Sequence, residues 1–341
     1  MPPRDAHSPS RMKTKLFILC LCLNLGAKAQ ESSSVFNFLK IPVSAHAAAL
    51  GGDNVSVHVD DPTLVFNNPA MAAQVNDMSF NLNYMTYLSD ANVLSASFIK
   101  VFSVRHTVAL TGQLLNYGDM QQTDEDGNIL GDFSPSDCAI SALYSYTMGN
   151  GLVGGATLRF ISSSYGDYTS TALSVDVGLH YYNDTHDFAA GLVLRNMGAQ
   201  LSSFYEDERE HLPFDLQAGI TQKIQHAPFR ISITLKDLTR WDKDYYYRQD
   251  GAEISTSRML LNHLCLGIDF LPFDGFYLAA GYNFRRASEL KAAGSSHAAG
   301  FSLGAGAEFK GFKLSATWAK YHVSVSSLLF NLSYSINKAA K

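Results

Sequence analysis

Residues 328–336 read LLFNLSYSI, and large apolar side chains alternate in this stretch with other, mostly smaller and polar ones. The alternating apolar set is Leu328, Phe330, Leu332, Tyr334 and Ile336. Because successive side chains of a β-strand point to opposite faces, a period of two residues predicts a strand with two unlike faces. The same alternation recurs from residue 78 onward. The sequence therefore predicts an all-β fold.

The length of the segments and the position of their charges favour a membrane barrel over a soluble sandwich. The predicted strands are mostly about 10–13 residues long, whereas globular strands average about 5–6 and a tilted membrane-spanning strand needs about 9–11. Charged residues fall in the polar phase of these segments, as expected for a polar lumen inside a lipid-facing wall. They are Arg159, Asp176, Arg195, Asp269, Arg285 and Glu308.

Fourteen segments follow this pattern, an even number, as in bacterial outer-membrane barrels. They are 78–88, 91–101, 105–117, 137–148, 151–163, 168–182, 186–197, 213–223, 228–239, 260–270, 275–286, 298–310, 311–322 and 325–336. Every long connection follows an odd-numbered segment, and the connections after even-numbered segments are short. We therefore predict an all-β membrane protein, a 14-stranded antiparallel transmembrane β-barrel over residues 78–337, with both mature ends on the short-turn, periplasmic side.

The amino terminus has the three parts of a secretory signal peptide. Basic residues precede a short apolar run at 16–25, and Ala27-Lys28-Ala29 forms a small-residue cleavage site. We predict a signal peptide over residues 1–29, cut between Ala29 and Gln30. Its removal takes away five basic residues and one acidic residue, which leaves 21 against 30 and a net charge of −9. That balance gives no indication of nucleic-acid binding.

Residues 30–77 do not follow the barrel pattern and predict a small, partly helical plug on the periplasmic side. Ser44 precedes an alanine-rich run that stops at Gly51-Gly52, which suit the end of a helix. Asn68 can cap a second helix that has Pro69 at its first position. Because a fourteen-strand barrel has a lumen too wide for wall side chains to fill, this segment is expected inside it.

Two long connections carry the candidate residues for contact with a partner. One is acidic around Glu206 and Asp207. The other, 240–259, is rich in residue types that dominate interface hot spots, which could instead belong to an aromatic girdle. The candidates there are Trp241, Tyr245, Tyr246, Tyr247 and Arg248.

The sequence assembles no credible catalytic, metal or cofactor site. His322 and Ser324 share a predicted face, but no orienting acid or oxyanion donor can be named beside them, so a surface esterase is the least favoured alternative. Cys138 and Cys265 fall in opposite phases and are expected to be free thiols. We predict a protein that is not an enzyme.

Several stretches together resemble a known family. Ala49-Leu50-Gly51-Gly52, Asp60-Asp61 and Asn67-Asn68-Pro69-Ala70 resemble the plug of FadL-like outer-membrane barrels. Within that group, the chain resembles the type IX secretion barrels of Bacteroidetes, the PorV/PorQ group, from about Val35 to Ile336. The stretches that carry this second resemblance are 196–198, 212–219, 226–230 and 280–286.

The resemblance implies a non-enzymatic role in a cell-surface attachment complex of the outer membrane. In such a complex the barrel holds a PorZ-like surface protein, beside a sortase-like PorU component and a PorV-like barrel, and secreted cargo is joined to the cell surface. No cofactor is implied. The alternative, from a different functional class, is a FadL-like channel for hydrophobic solutes.

Overall fold

The first barrel strand pairs with the last, which closes fourteen antiparallel strands into a barrel. The computed structural model describes residues 34–87, 90–123, 126, 128–205, 209–242, 254–292, 298–322 and 325–337. Two further strands, β4 and β5, form a separate hairpin. The strands are β1 Asp77–Thr86, β2 Asn92–Ser103, β3 His106–Asn116, β4 Met120–Thr123, β5 Ile129–Phe133, β6 Ser136–Gly149, β7 Leu152–Tyr165, β8 Tyr168–Asn183, β9 Phe188–Ser202, β10 Asp215–Lys223, β11 Phe229–Leu235, β12 Leu264–Phe270, β13 Phe276–Asn283, β14 Phe301–Phe309, β15 Phe312–Ala319 and β16 Ser327–Asn337.

The predicted fold class is confirmed, because the alternating phases face opposite sides of this wall. In β16 the side chain of Leu332 is 43% exposed on the outside, whereas Asn331 and Ser333 are buried on the inside. Leu332 lies opposite Leu82 where β16 closes on β1. Among the described residues, no helix is long and apolar enough to cross a membrane.

The two ends of the barrel differ. One end, called here the short-turn end, carries tight connections such as Val104-Arg105 and Lys310-Gly311. The other, the long-loop end, carries the long connections 117–135, 203–214, 236–263 and 284–300.

Two helices overlap residues that the sequence pattern predicted to be in strands. Thr256–Asn262 and Phe284–Ala292 are helical, so the predicted strands 260–270 and 275–286 are each shorter than expected. The second helix begins where Asn283 accepts a hydrogen bond from the Arg286 backbone N–H at 2.9 Å. Arg285 and Glu289 then form an ion pair one turn apart, which favours the helix. Arg285 therefore lies on this helix and not on a strand.

Residues 34–76, called the plug below, combine one short α-helix, Ala45–Ala49, with 3₁₀ segments at Asn37–Lys40, Pro62–Phe66 and Pro69–Gln74. The capping residues are those expected. The Ser44 hydroxyl accepts from the Ala47 N–H at 3.1 Å, and the Asn68 side chain accepts from the Ala70 N–H at 3.0 Å. Gly51 and Gly52 end the helix with positive φ values of 106° and 108°, which glycine adopts without strain.

The plug runs the length of the lumen, so its predicted confinement to the short-turn end is wrong. The Val35 N–H donates to the His211 carbonyl in a long connection at 3.2 Å, whereas Asp60 contacts Lys313 near the short-turn end. The physical reason lies in the wall, whose inward side chains become apolar toward the long-loop end. There Phe38 and Leu39 pack in one buried cluster with Met85, Leu115 and Leu329.

Glycines in the wall allow the plug backbone to lie directly against the strands. A Cβ added at Gly281 would stand 2.2 Å from the Gly51 backbone nitrogen, and one added at Gly191 would stand 1.9 Å from the Val55 carbonyl oxygen. The Asn68 side chain occupies the space that a side chain at Gly178 would need. Close approach of two backbones requires the absence of a side chain at these positions.

Replacing Gly281 with Val should therefore displace the plug and lower the free energy of unfolding by ~1–3 kcal/mol, as overpacking typically does. The measurement is urea denaturation in detergent micelles. Gly112→Val is the matched control, because no heavy atom lies within 4 Å of its added Cβ. Equal destabilisation of both variants would contradict this packing.

Candidate functional site

The buried interface between plug and wall is the candidate functional site, and its first element is a charge cluster at Asp53. The Asp53 carboxylate lies 2.5 Å from the Lys236 ammonium and 3.6 Å from the Arg195 guanidinium. Burial by itself raises the pKa of Asp53, but the two neighbouring cations outweigh it and hold that pKa below its ordinary value. The carboxylate therefore stays charged and joins the plug to β9 and to the residue that directly follows β11.

A second cluster joins the helix of the plug to the neighbouring strands β11 and β12. His46 lies with its Nε2 2.9 Å from one oxygen of Asp269, and the Arg230 Nε donates to the other oxygen at 2.8 Å. The His46 ring also stacks on Tyr277, with centroids 4.1 Å apart. Asp269 is fully buried, so both of its oxygens are satisfied by protein groups.

A third group of contacts fixes the plug near the short-turn end. Asp60 forms an ion pair with Lys313 and accepts from the Asn76 side chain. The His58 ring stacks on Tyr182 with centroids 3.6 Å apart. Burial lowers the pKa of His58 to about 4, so this ring is neutral at pH 7.

The inward charges of the strands are thus paired with one another and with the plug. Arg159 binds Asp176 within the wall at 2.7 Å, and Asn196 joins them through its backbone N–H. Sequence reasoning identified Asp176, Arg195 and Asp269 as inward. It did not identify Arg230, Lys236 and Lys313 as their companions or as partners of the plug. Arg230 and Lys313 could have been identified, because both fall at inward-facing positions in the alternation of β11 and β15.

Among the cavities that the described residues enclose, two larger ones lie inside the barrel on either side of the plug. The upper chamber, toward the long-loop end, has a volume of about 320 Å³ and is lined mainly by polar groups. Its lining includes Lys40, Asp53, Arg195, Lys236, Arg286 and Tyr321. The lower chamber, toward the short-turn end, has a volume of about 620 Å³. Its lining includes His46, Asp60, Arg230, Tyr277, Glu308 and Lys313.

An apolar depression of about 820 Å³ lies on the outer wall and is called the outer groove. Small residues form its floor and large ones its sides. The floor includes Ala96, Gly112, Ala305, Ala307 and Ala316, and the sides include Leu82, Leu94, Leu114, Leu314 and Phe330.

The outer groove and the lower chamber meet at the same piece of wall. They share Phe276, Gly306, Ala307, Leu314, Ser315 and Asn331. Gly306 pairs with Tyr277 on one side and Ser315 on the other, so the strand ladder is unbroken and the wall is closed here. The Tyr277 ring occupies the space that a side chain at Gly306 would need, 2.2 Å from an added Cβ.

The structure describes some of the site residues predicted from the sequence, and others lie outside the described residues. Gly51, Gly52, Asn68 and Pro69 lie in the plug against the wall, where the Asn68 amide donates to the carbonyls of Val55 and Leu179. Their role as a motif stays a prediction.

Of the proposed contact residues, Trp241 is described. It is 51% exposed and donates through Nε1 to the Leu238 carbonyl at 2.6 Å. The others lie outside the described residues, as do the signal cleavage site and the second esterase candidate. These are Glu206, Asp207, Tyr245, Tyr246, Tyr247, Arg248, Ala29, Gln30 and Ser324.

The two cysteines of the barrel are free thiols, as expected. Within the described ranges, no group of three or more His, Cys, Asp or Glu side chains is placed to hold a metal ion.

Comparison with solved structures finds the same barrel fold in proteins of very different sequence. The toluene transporter TodX of Pseudomonas putida is 12% identical over 86% of this chain and 97% of its own, with a TM-score of 0.54. The monoaromatic hydrocarbon channel CymD is 13% identical over 88% and 99%, with a TM-score of 0.51. A FadL homologue of Pseudomonas aeruginosa is 12% identical over 86% and 98%, with a TM-score of 0.50.

No protein-family model matches the chain, and no curated protein sequence matches it. At these identities the likeness concerns the fold, which is that of the FadL-type outer-membrane channels.

Replacing Asp269 with Asn should weaken the attachment of the plug, because Arg230 would be left buried without its counter-ion. Breaking a buried ion pair typically costs about 3–5 kcal/mol. The free energy of unfolding, measured by denaturant in micelles, should fall by that amount. Asp274→Asn, at an exposed position in the adjacent turn, is the control. A loss no larger than that of the control would contradict the role given to Asp269.

Proposed function

We propose that this chain is an outer-membrane protein that passes small hydrophobic solutes, with its long connections at the cell surface. The observation that carries the proposal is the shared wall at Gly306, where a lipid-facing apolar groove and a chamber of the lumen are separated by one layer of backbone. The similarity of fold to toluene and hydrocarbon channels supports it.

The chemistry of the two compartments fits a lateral route. An apolar groove on the lipid face concentrates solutes that prefer the hydrocarbon phase of the membrane. The lower chamber is open enough to receive a small molecule and combines the Tyr277 and Phe276 rings with polar groups. Passage at this point requires the Tyr277 ring to move aside and the strand pairing at Gly306 to open. The role is non-enzymatic, since passage requires no bond to be made or broken.

Filling the groove should therefore reduce uptake. We expect Ala307→Trp to lower the rate of labelled toluene uptake by cells that express the chain by about tenfold, equivalent to ~1.4 kcal/mol of added barrier. Ala156→Trp is the matched control, because Ala156 is also exposed on the outer face of a strand but lies on β7, outside the groove.

The proposal would be refuted by equal uptake in Ala307→Trp, Ala156→Trp and the unmodified protein. It would equally be refuted if cells with and without the chain took up toluene at the same rate.

A second candidate function is attachment of a surface protein, as the resemblance to the PorV/PorQ group implies. One observation favours it: ion pairs and buried contacts hold the plug to the wall in three separate clusters, which suits a static scaffold better than a moving gate. In this role the chain would be PorQ-like. It would hold a PorZ-like partner through its long connections, within a complex that includes PorU-like and PorV-like components.

Truncating large interface aromatics typically costs more than about 2 kcal/mol each. If the chain is an anchor, changing Trp241, Tyr246 and Tyr247 together to Ala should release a surface protein that co-purifies with the unmodified barrel. Detergent-solubilised pull-down followed by mass spectrometry measures this. Phe273→Ala, at the short-turn end, is the control. Undiminished partner recovery from the triple variant would exclude this surface as the anchor.

A further inference from the structure

The hairpin β4–β5 stands apart from the barrel sheet and carries exposed apolar side chains. Met120–Thr123 pairs with Ile129–Phe133, and among the described residues no other strand pairs with either of them. Ile129 and Leu130 are 63% and 64% exposed, and Met120 is 42% exposed. Each strand therefore has one edge whose backbone N–H and C=O groups have no neighbouring strand to pair with.

The base of the hairpin is fixed to the barrel. The Tyr117 N–H donates to the Pro135 carbonyl at 3.1 Å, and the Ser134 hydroxyl donates to the Asp119 carboxylate at 2.5 Å. The Tyr117 hydroxyl also donates to the Asp137 carboxylate at 2.7 Å. These contacts continue the ladder between β3 and β6 up to the hairpin, so its base is held in place before any partner binds.

The chain leaves the apolar band of the wall before it reaches the hairpin. On the outer face of the barrel, the long-loop ends of β6, β7 and β8 carry hydroxyl residues in place of large apolar ones. These residues are Ser136, Ser164 and Thr169, which lie side by side in the strand ladder. Ser136 directly follows the hairpin segment, so the hairpin is joined to the polar end of the wall.

The hairpin is also strongly acidic. Residues 117–135 contain no basic residue and five acidic ones, which are Asp119, Asp124, Glu125, Asp126 and Asp132. The neighbouring turn adds Asp90, whose Cβ lies 3.1 Å from a Cβ added at Gly118. Carboxylates in this number keep the hairpin out of hydrocarbon, so its exposed apolar side chains face water.

The two edges of the hairpin differ. Gln122 pairs with Gly131 and Thr123 pairs with Ile129, so β5 has one extra residue, Leu130, and carries the bulge. Bulges and charges protect an edge from pairing, and β5 also contains Asp132. β4, in contrast, has no bulge, no proline and no charged residue. Its edge is therefore the one suited to pair with a further strand.

A two-stranded hairpin with exposed apolar side chains gains stability from a third strand. Isolated hairpins are marginally stable in water, and an added strand supplies backbone hydrogen bonds and covers apolar surface. The charges on each side of β4 restrict what that strand can be. Asp119 precedes β4 directly, and three consecutive acids follow it at 124–126. Basic side chains complement this pattern, whereas acidic ones are repelled by it.

We propose that the free edge of β4 binds an extended, positively charged segment of a partner protein as a third strand of the hairpin. The backbone of Met120–Thr123 supplies the hydrogen bonds, and an apolar side chain of the added strand covers Met120. Basic side chains of that strand lie against Asp90, Asp119 and the acids at 124–126. The surface lies outside the lumen, so this binding goes beyond solute uptake and requires no passage through the barrel.

The test measures the binding of short fluorescent peptides to the full-length protein in an uncharged maltoside detergent, by fluorescence anisotropy. A peptide of alternating lysine and valine should bind saturably, with one site per chain. A peptide of alternating glutamate and valine keeps the valines and reverses the charge. One of alternating lysine and proline keeps the charge but does not join a sheet. Both should bind at least about tenfold more weakly, a difference of ~1.4 kcal/mol.

Variants of the chain locate the site. Replacing residues 120–133 with a short Gly/Ser turn should abolish binding of the lysine–valine peptide, and Asp119 and Ser134 already lie together where that turn begins and ends. Gln121→Lys places a like charge on the β4 edge and should weaken binding by about tenfold or more.

Matched controls make the same change in net charge elsewhere. Asp132→Asn lies directly across the hairpin from Gln121, on β5, and should weaken binding about threefold at most. Asp274→Asn, at the short-turn end, should bind the peptide as the unmodified protein does.

Absence of saturable binding of the lysine–valine peptide would overturn the proposal, and so would unchanged binding after replacement of residues 120–133. Equal binding of the lysine–proline peptide would show that the acids attract any cationic chain, which would overturn strand addition. A loss in Asp132→Asn as large as that in Gln121→Lys would overturn the assignment to the β4 edge. Because the assay measures binding without transport, these outcomes are independent of the toluene result.

Discussion

Charge neutralisation between plug and wall is the constraint on which the rest of this structure depends. A fourteen-strand barrel leaves a lumen that its own side chains cannot fill, and inward-facing charges in a filled lumen lose their water. The plug resolves both problems at once. It brings Asp53 to Lys236 and Arg195, Asp60 to Lys313, and His46 to Asp269 beside Arg230. The buried carboxylates of Asp53 and Asp269 would be costly without these partners.

Polar pairing and close packing cooperate along the lumen. Where the wall is polar, the plug contributes carboxylates and a helix with small side chains, and the wall contributes glycines such as Gly281 that admit its backbone. Toward the long-loop end the inward side chains become apolar, and the plug contributes Phe38 and Leu39. The result is a partition with a different chamber on each side. The upper one is charged and hydrophilic, and the lower one is adjacent to a thin, apolar part of the wall.

Much of the barrel could be predicted from the sequence because strand alternation is local. Each of the fourteen predicted segments corresponds to a strand of the barrel. The caps at Ser44 and Asn68 were predictable for the same reason. The helix Phe284–Ala292 could not be predicted. The apolar alternation of β13, with Tyr282 and Phe284 in the same phase, continues by coincidence into the first turn of this helix.

The site was less predictable because its partners are distant in sequence. Asp53 and Lys236 are 183 positions apart, and no local pattern links them. The course of the plug from one end of the barrel to the other depends on the same long-range contacts. The residues of the long connections that composition favoured for partner contact, apart from Trp241, lie outside the described ranges, so their role rests on composition.

Hydrogen–deuterium exchange of the full-length protein in detergent micelles tests most directly whether buried ion pairs hold the plug. The amides of residues 44–57 should exchange as slowly as those of the barrel strands that they contact, because opening the plug would expose Asp53 and Asp269 without partners. Exchange of these amides within seconds, while the strands remain protected, would contradict the account.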